Sequence, residues 1–418
     1  MSEWKETAIG LIPKDWDLKT VDEIKSSEKK SIISGPFGSN ISSKFFVSKG
    51  IPVIRGNNLS LGLSTKFKDD GFVFITEEKA NELGTWATKD DIIFTAVGTI
   101  GQVGLLLGNE KYENYIISNK QLRIRIDKSQ VEPLYAYYWF ASPQMVETIE
   151  QRNTGSSVPL INLSVLKSLH IPLPAKKERQ QIVEILSCLD DKIDLLNRQN
   201  KTLEQLAETL FRQSFGGENK TGTIGEYVKM QGGYAFKSNS FKAEGFAGII
   251  KITNISMSSI DILKTDFVDE EVVKNIDENK FRIRSGDFLI AMTGAEIGKI
   301  GTVENTSKQI WLNQRVGRLM EKVPFGNLVG YVALKSREGQ DHIMNACSGS
   351  AQENISTTGL EEMEFVSYSK ERTESFGIEA KPLFEKITFN LNQIRILTQL
   401  RDTLLPKLMS GEVRVEMN

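Results

Sequence analysis

Cysteine and histidine are scarce, with two of each in 418 residues. Cys188 and Cys347 are too few for a disulfide framework, and their spacing suits no zinc site. His170 and His342 leave little for metal or acid–base chemistry. The opening MSEWKETAIG has no basic stretch ahead of an apolar run, so no signal peptide is expected and the chain reads as cytoplasmic. No methyltransferase motif of the Asn/Asp-Pro-Pro-aromatic type occurs. Acid-x-Lys triplets are present, but none follows a Pro-Asp pair, so a nuclease site has no support. GAEIGKI (294–300) imitates a phosphate loop and fails. It has three residues between its glycines instead of four, and Ile300 stands where Ser or Thr must ligate magnesium. These absences exclude most catalysis. An excess of one charge sign is missing too, since 52 bases meet 54 acids. The one long uncharged stretch, Ile92 to Asn109, holds Gly98, Gly101, Gly104 and Gly108. That pattern fits buried strands with tight turns better than a membrane helix.

What is present is a folding composition, 39% hydrophobic and 25% charged. At ~100–200 residues per domain, the length implies two to four units. Charge is unevenly distributed. Residues 29–68 hold seven bases and no acid, and residues 227–260 hold four lysines against Glu244 alone. Such segments are either solvated surface or the footprint of a protein that meets polyanions in two places.

The chain is an internal repeat. GIPVIRGNNLS (50–60) resembles GFAGIIKITNIS (245–256), and DDIIFTAVGTIGQVG (90–104) resembles GDFLIAMTGAEIGKIG (286–301). Asn58 pairs with Asn254 and Asp91 with Asp287, each at a shift of 196; Asn119 pairs with Asn313 at 194. Each copy reads as a mixed α and β globular part followed by a long helix. Within the first globular part, 134–152 reads as a helix whose aromatics belong to a core. The first long helix starts at Lys176, after Pro172 and Pro174, and is stopped by Gly216-Gly217. Its apolar positions (182, 186, 189, 193, 196, 203, 207 and 210) alternate steps of four and three, with Asn200 in the seam. That is a coiled-coil period, and a seam Asn sets register at a cost in stability. The second helix carries Asn390 in its seam, with Pro382 expected to kink or restart it and Pro406 to end it. The simplest burial of the two stripes is against each other, antiparallel, with the globular parts at opposite ends about a pseudo-twofold axis.

Four matched sets of residues suit DNA contact. The first is a pair of Gly-rich loops, with Ser34, Gly35, Phe37, Ser39, Asn40 and Lys44 in one copy. Gly233, Tyr234, Lys237 and Lys242 stand in the other. The second is Arg55, Asn57 and Asn58 against Lys251, Thr253 and Asn254. The third is Lys120, Gln121 and Arg123 against Gln314, Arg315 and Arg318. The fourth is Arg152 to Ser156 against Ser348 to Ser350. Glycine permits close backbone approach, Ser and Asn hydrogen-bond phosphates or base edges, and Lys and Arg neutralise phosphate. Singly, each residue reads as ordinary loop or solvated surface; the coincidence in both copies carries the group.

The segments IGLIPKDWDLKTVDEI, SGPFGS…GIPVIRGNNLS, IPLPAKKERQQIVEIL and LRDTLLPKLMSGEVRV resemble the specificity subunit of type I restriction–modification enzymes, over essentially the whole chain. The resemblance implies two target-recognition domains (1–175 and 216–370) and two helical regions (176–215, the spacer, and 371–418). It implies that each domain reads one half of a split, asymmetric site in double-stranded DNA. Its implied partners are two adenine-methylating modification subunits and the ATP-driven restriction subunits. S-adenosylmethionine, ATP and Mg would sit on those partners only, with no cofactor, metal or catalytic residue on this chain and no membrane association. The second copy departs from the pattern at VSYSKERTESFG (366–377), which lacks the Pro-x-Pro junction. Two other classes stay open at this point, a coiled-coil scaffold that binds no nucleic acid and a free-standing DNA-modifying enzyme.

Overall fold

The computed structural model describes residues 4–63, 65–347 and 354–415. The chain divides into two compact units, the first made of Met1–Asp190 with Gln399–Asn418 and the second of Asp191–Thr398. Each boundary falls inside a long helix.

The first unit carries two four-stranded sheets. One runs Ile32–Ser34, Gln121–Arg125, Asp91–Thr95, Val103–Leu105, all antiparallel. Asp91–Thr95 is buried along its length, as a central strand covered on both faces must be. The uncharged stretch is thus two strands, joined through Gly98 and Gly101 at positive φ. No described helix is long and apolar enough to cross a membrane. The other sheet runs Val73–Ile75, Ile51–Ile54, Tyr115–Ile117, Trp86–Ala87, with Ile54 parallel to Ile117. The aromatics of 134–152 are core, as expected, with Tyr135, Tyr137, Tyr138, Trp139 and Phe140 buried. The single helix expected there is two, Pro133–Phe140 and Pro143–Gln151. Pro143 cannot continue the first, and the Ser142 side chain caps the second by accepting from Met145 N at 3.3 Å.

The second unit repeats this plan. Val228–Gly232, Val316–Glu321, Phe288–Ala291 and Ile300–Thr302 form the first sheet, extended by Ser258–Ser259. Asp266–Val268, Ala247–Ile250 and Ile310–Leu312 form the second, with Ile250 parallel to Leu312. The helices Gly326–Lys335 and Arg337–Cys347 follow in order.

The first long helix is Lys176–Phe215, and Gly217 at φ +79° follows it. None of its seam positions is exposed. The second is Lys370–Ser410. It lacks the Pro-x-Pro lead-in, and Ser369 opens it instead through a 3.4 Å bond from Arg372 N to its Oγ. It runs unbroken through Pro382 and Pro406, which sequence reasoning expected to interrupt it. A proline removes one backbone bond, and burial of Leu405, Leu408 and Met409 in the first unit's core offsets that loss. Within the second unit the helices run antiparallel: Asn390 Nδ2 donates to Asn200 Oδ1 at 2.8 Å, and Phe376 lies against Phe211. Within the first unit, Ile182 and Leu186 share a core with Leu405 and Leu408, and Arg401 pairs with Asp190 at 2.8 Å.

Candidate nucleic-acid interface

In each unit, three of the four matched segments converge on the turn that precedes a central strand. A Cβ on Gly35 would lie 1.8 Å from Ser118 O, and one on Gly233 would lie 2.1 Å from Asn313 O. Only glycine lets the loop cross so close. Gly35 N donates to Gln121 O at 2.9 Å, and Tyr234 N to Leu312 O at 2.8 Å. The second segment joins the same turn, with Ser118 N donating to Ile54 O and Asn313 N to Ile250 O. The fourth set is described in the first copy alone, where Thr154 N donates to Leu160 O and Ile161 N to Ala96 O. Ser350 and its neighbours lie outside the described residues. The repeated strand contact survives beside them, as Ile355 N donates to Met292 O.

Fourteen of the expected residues are exposed: Ser34, Phe37, Ser39, Asn40, Lys44, Asn57, Lys120 and Ser156 in the first unit, and Tyr234, Lys237, Lys242, Thr253, Gln314 and Arg315 in the second. Phe37 is 84% exposed, which no core aromatic would be. Gly35, Arg55, Arg152, Gly233 and Lys251 are half-buried. Arg55 donates to Gly71 O, and Arg152 to the carbonyl and hydroxyl of Ser168. Lys251 pairs with Asp266 and sits 3.8 Å from the Phe241 ring centre, while Lys242 pairs with Asp269. Part of the second unit's basic charge is therefore already neutralised.

Five expected contacts face inwards instead of towards solvent. Asn58 is fully buried; its Oδ1 accepts from Arg55 N at 2.9 Å, and its Nδ2 donates to Lys68 O and Asp70 O. Asn254 repeats this with Lys251 N and Lys264 O. These asparagines pin a loop. Arg123 and Arg318 are 3% exposed and spend themselves on backbone carbonyls and on Asp91 and Asp287. Burial pushes the Asp287 carboxyl above its ordinary range, with Arg318 opposing, and lowers the Arg123 guanidinium. Gln121 is 1% exposed and forms part of a groove floor.

Two adjoining cavities open on the first unit's face. One, of about 360 Å³, brings Arg55, Asn57 and Lys120 above Thr95, Gln102 and Gln121. The other, of about 640 Å³, lies between the loop Ser34–Gly38 and residues 160–164. Sequence reasoning left Thr95, Thr99, Gln102 and Asn119 out of the site. They are uncharged, and nothing in their spacing signals that they share a groove.

The chain matches the family described as the type I restriction modification DNA specificity domain over residues 13–205 and 217–366. It is 27% identical to the type I restriction enzyme MjaIX specificity subunit of Methanocaldococcus jannaschii, over 99% of this chain and 97% of that one. It is 22% identical to the HindI specificity subunit of Haemophilus influenzae, over 78% and 87%. Its fold is similar to the S subunit of a type I restriction–modification system from M. genitalium, with a TM-score of 0.54, 18% identity and coverage of 96% and 97%.

Proposed function

The chain belongs to the specificity subunits of type I restriction–modification systems, and from that premise we propose that each compact unit reads one half of a split, asymmetric DNA site. The carrying observation is the repeated convergence: the same three segments meet on one exposed face in both copies, with different side chains. Phosphates meet Lys44, Lys120, Lys237 and Arg315; base edges meet the Gly-rich loops and the polar residues between them. Two diverged readers on one chain suit a non-palindromic sequence. Each supplies contacts worth ~1–3 kcal/mol per good bidentate pair, and linkage multiplies their selectivity. The chain itself carries no reaction. Adenine methylation belongs to two modification subunits, cleavage and translocation to restriction subunits, and S-adenosylmethionine, ATP and Mg to those partners.

The test is to replace residues 1–175 with a diverged equivalent in a cell that supplies the modification subunit, and to map N6-methyladenine. One half of the methylated sequence is expected to change. A change in both halves would sink the two-reader proposal.

A further inference from the structure

At the floor of the first unit's groove, three polar side chains face one point. A Cβ placed on Gly56 would lie 3.4 Å from Gln102 Oε1 and 4.0 Å from both Gln121 Nε2 and Thr95 Oγ1. Nothing comes closer, so the space over Gly56 is open. The orientation of the Gln102 amide follows from its other bonds. Thr95 Oγ1 donates to Gln102 Oε1 at 2.8 Å and Gln102 Nε2 to Leu59 O at 3.4 Å, which fixes the Gln102 carbonyl on the Thr95 side. Lys120 N donates to Ser118 Oγ at 3.4 Å, and the Ser118 hydroxyl donates to Gln121 Oε1. Gln121 Nε2 is then the outstanding donor. It is buried and has no hydrogen-bond partner among the described residues. Native proteins rarely leave such a donor unpaired without a reason.

The second copy shows that the scaffold does not require these groups. Strand register places Gln121 opposite Thr95 in one sheet and Val316 opposite Ala291 in the other. Gly56 opens the turn after Arg55, and Ile252 the turn after Lys251. Ile252, Ala291 and Val316 therefore stand where the first copy has Gly56, Thr95 and Gln121, and they pack in one apolar cluster. The same fold fills this place with hydrocarbon in one unit and opens it as a polar hollow in the other.

We propose that the hollow over Gly56 is a base-reading subsite confined to the first unit, built for a base edge that carries an acceptor beside a donor. Gln121 Nε2 meets the acceptor and Gln102 Oε1 the donor. In the major groove that pair is adenine's N7 and N6 amino group. The assignment deepens the two-reader reading and rests on it.

The test uses the full chain assembled with its modification subunits. It is titrated with duplexes carrying the mapped site, in which each base pair of the first unit's half-site is exchanged in turn. Gly56→Ala puts a methyl into the hollow at ordinary contact distances, and Gln121→Leu removes the outstanding donor. Both are expected to lose about 5- to 150-fold of discrimination at one and the same A·T position, the value of one bidentate contact. Discrimination in the other half-site and binding to unrelated DNA stay at wild-type levels. If Gln121→Leu does not fold, Gly56→Ala decides alone. Wild-type discrimination at every position in Gly56→Ala overturns the subsite, as does a loss confined to a G·C position. The two-reader reading fails by a separate result: a unit exchange that changes both halves of the methylated sequence.

Discussion

Lys44 and Lys237 are exposed in equivalent loops, and neither forms an ion pair among the described residues. As phosphate contacts they release counterions on binding, whatever the sequence. The Lys44→Ala/Lys237→Ala double variant should therefore weaken binding to all duplexes alike and reduce the salt slope by roughly one per lost contact. An unchanged slope would remove both from the interface. Asn58 and Asn254 should behave in the opposite way. Asn58→Ala strands Arg55 N and two carbonyls, and Asn254→Ala strands Lys251 N and Lys264 O. Each is expected to lower stability by about 1–3 kcal/mol in urea unfolding while the folded protein keeps its base discrimination. The pairing of these asparagines was legible in the sequence, but their role was not. A buried loop pin and an exposed reader are the same residue type, and the carbonyls that bury Asn58 come from ten and twelve positions away.

The seam of the long helices was the most legible element, because a 3.5-residue period in apolar positions leaves one face to bury. Its two asparagines meet each other, and Asn390 Oδ1 is buried without a partner among the described residues. Asn200→Leu alone should destabilise the chain by about 1–3 kcal/mol, since it leaves the Asn390 amide unpaired. Asn200→Leu with Asn390→Leu should melt above the wild type, because both polar groups then leave the seam. A double variant melting no higher than the single would show that the pair does not carry the cost. Proline was the least legible signal. Ser142-Pro143 divides a helix that the aromatic run made look continuous, whereas Pro382 and Pro406 divide nothing. Local backbone chemistry is the same in all three; the burial available on either side decides.

For the whole molecule, the helices are proposed to set the unspecified gap between the half-sites. A heptad inserted after Asn200, with another after Ile394, keeps the seam in phase and adds up to ~10 Å of helix. Methylation mapping should then show both half-sites unchanged and the gap widened by about three base pairs at ~3.4 Å each. An active variant with an unaltered gap would end that proposal. Repeat and fold class were open to sequence reasoning, since duplication needs only alignment. The hollow over Gly56 was not, because Gln102 and Gln121 meet through sheet pairing rather than spacing. The first unit also takes its last piece from the far end of the chain. Arg414 binds Asp15 and Glu178, and Arg401 binds Asp190, both inside that unit. A ribosome therefore completes the second unit's sequence first, while the first unit, begun earlier, waits with part of its core uncovered for residues 399–415. A message cut short before that segment would yield a protein with one finished reader and one unfinished one, and the unfinished one is the half made first.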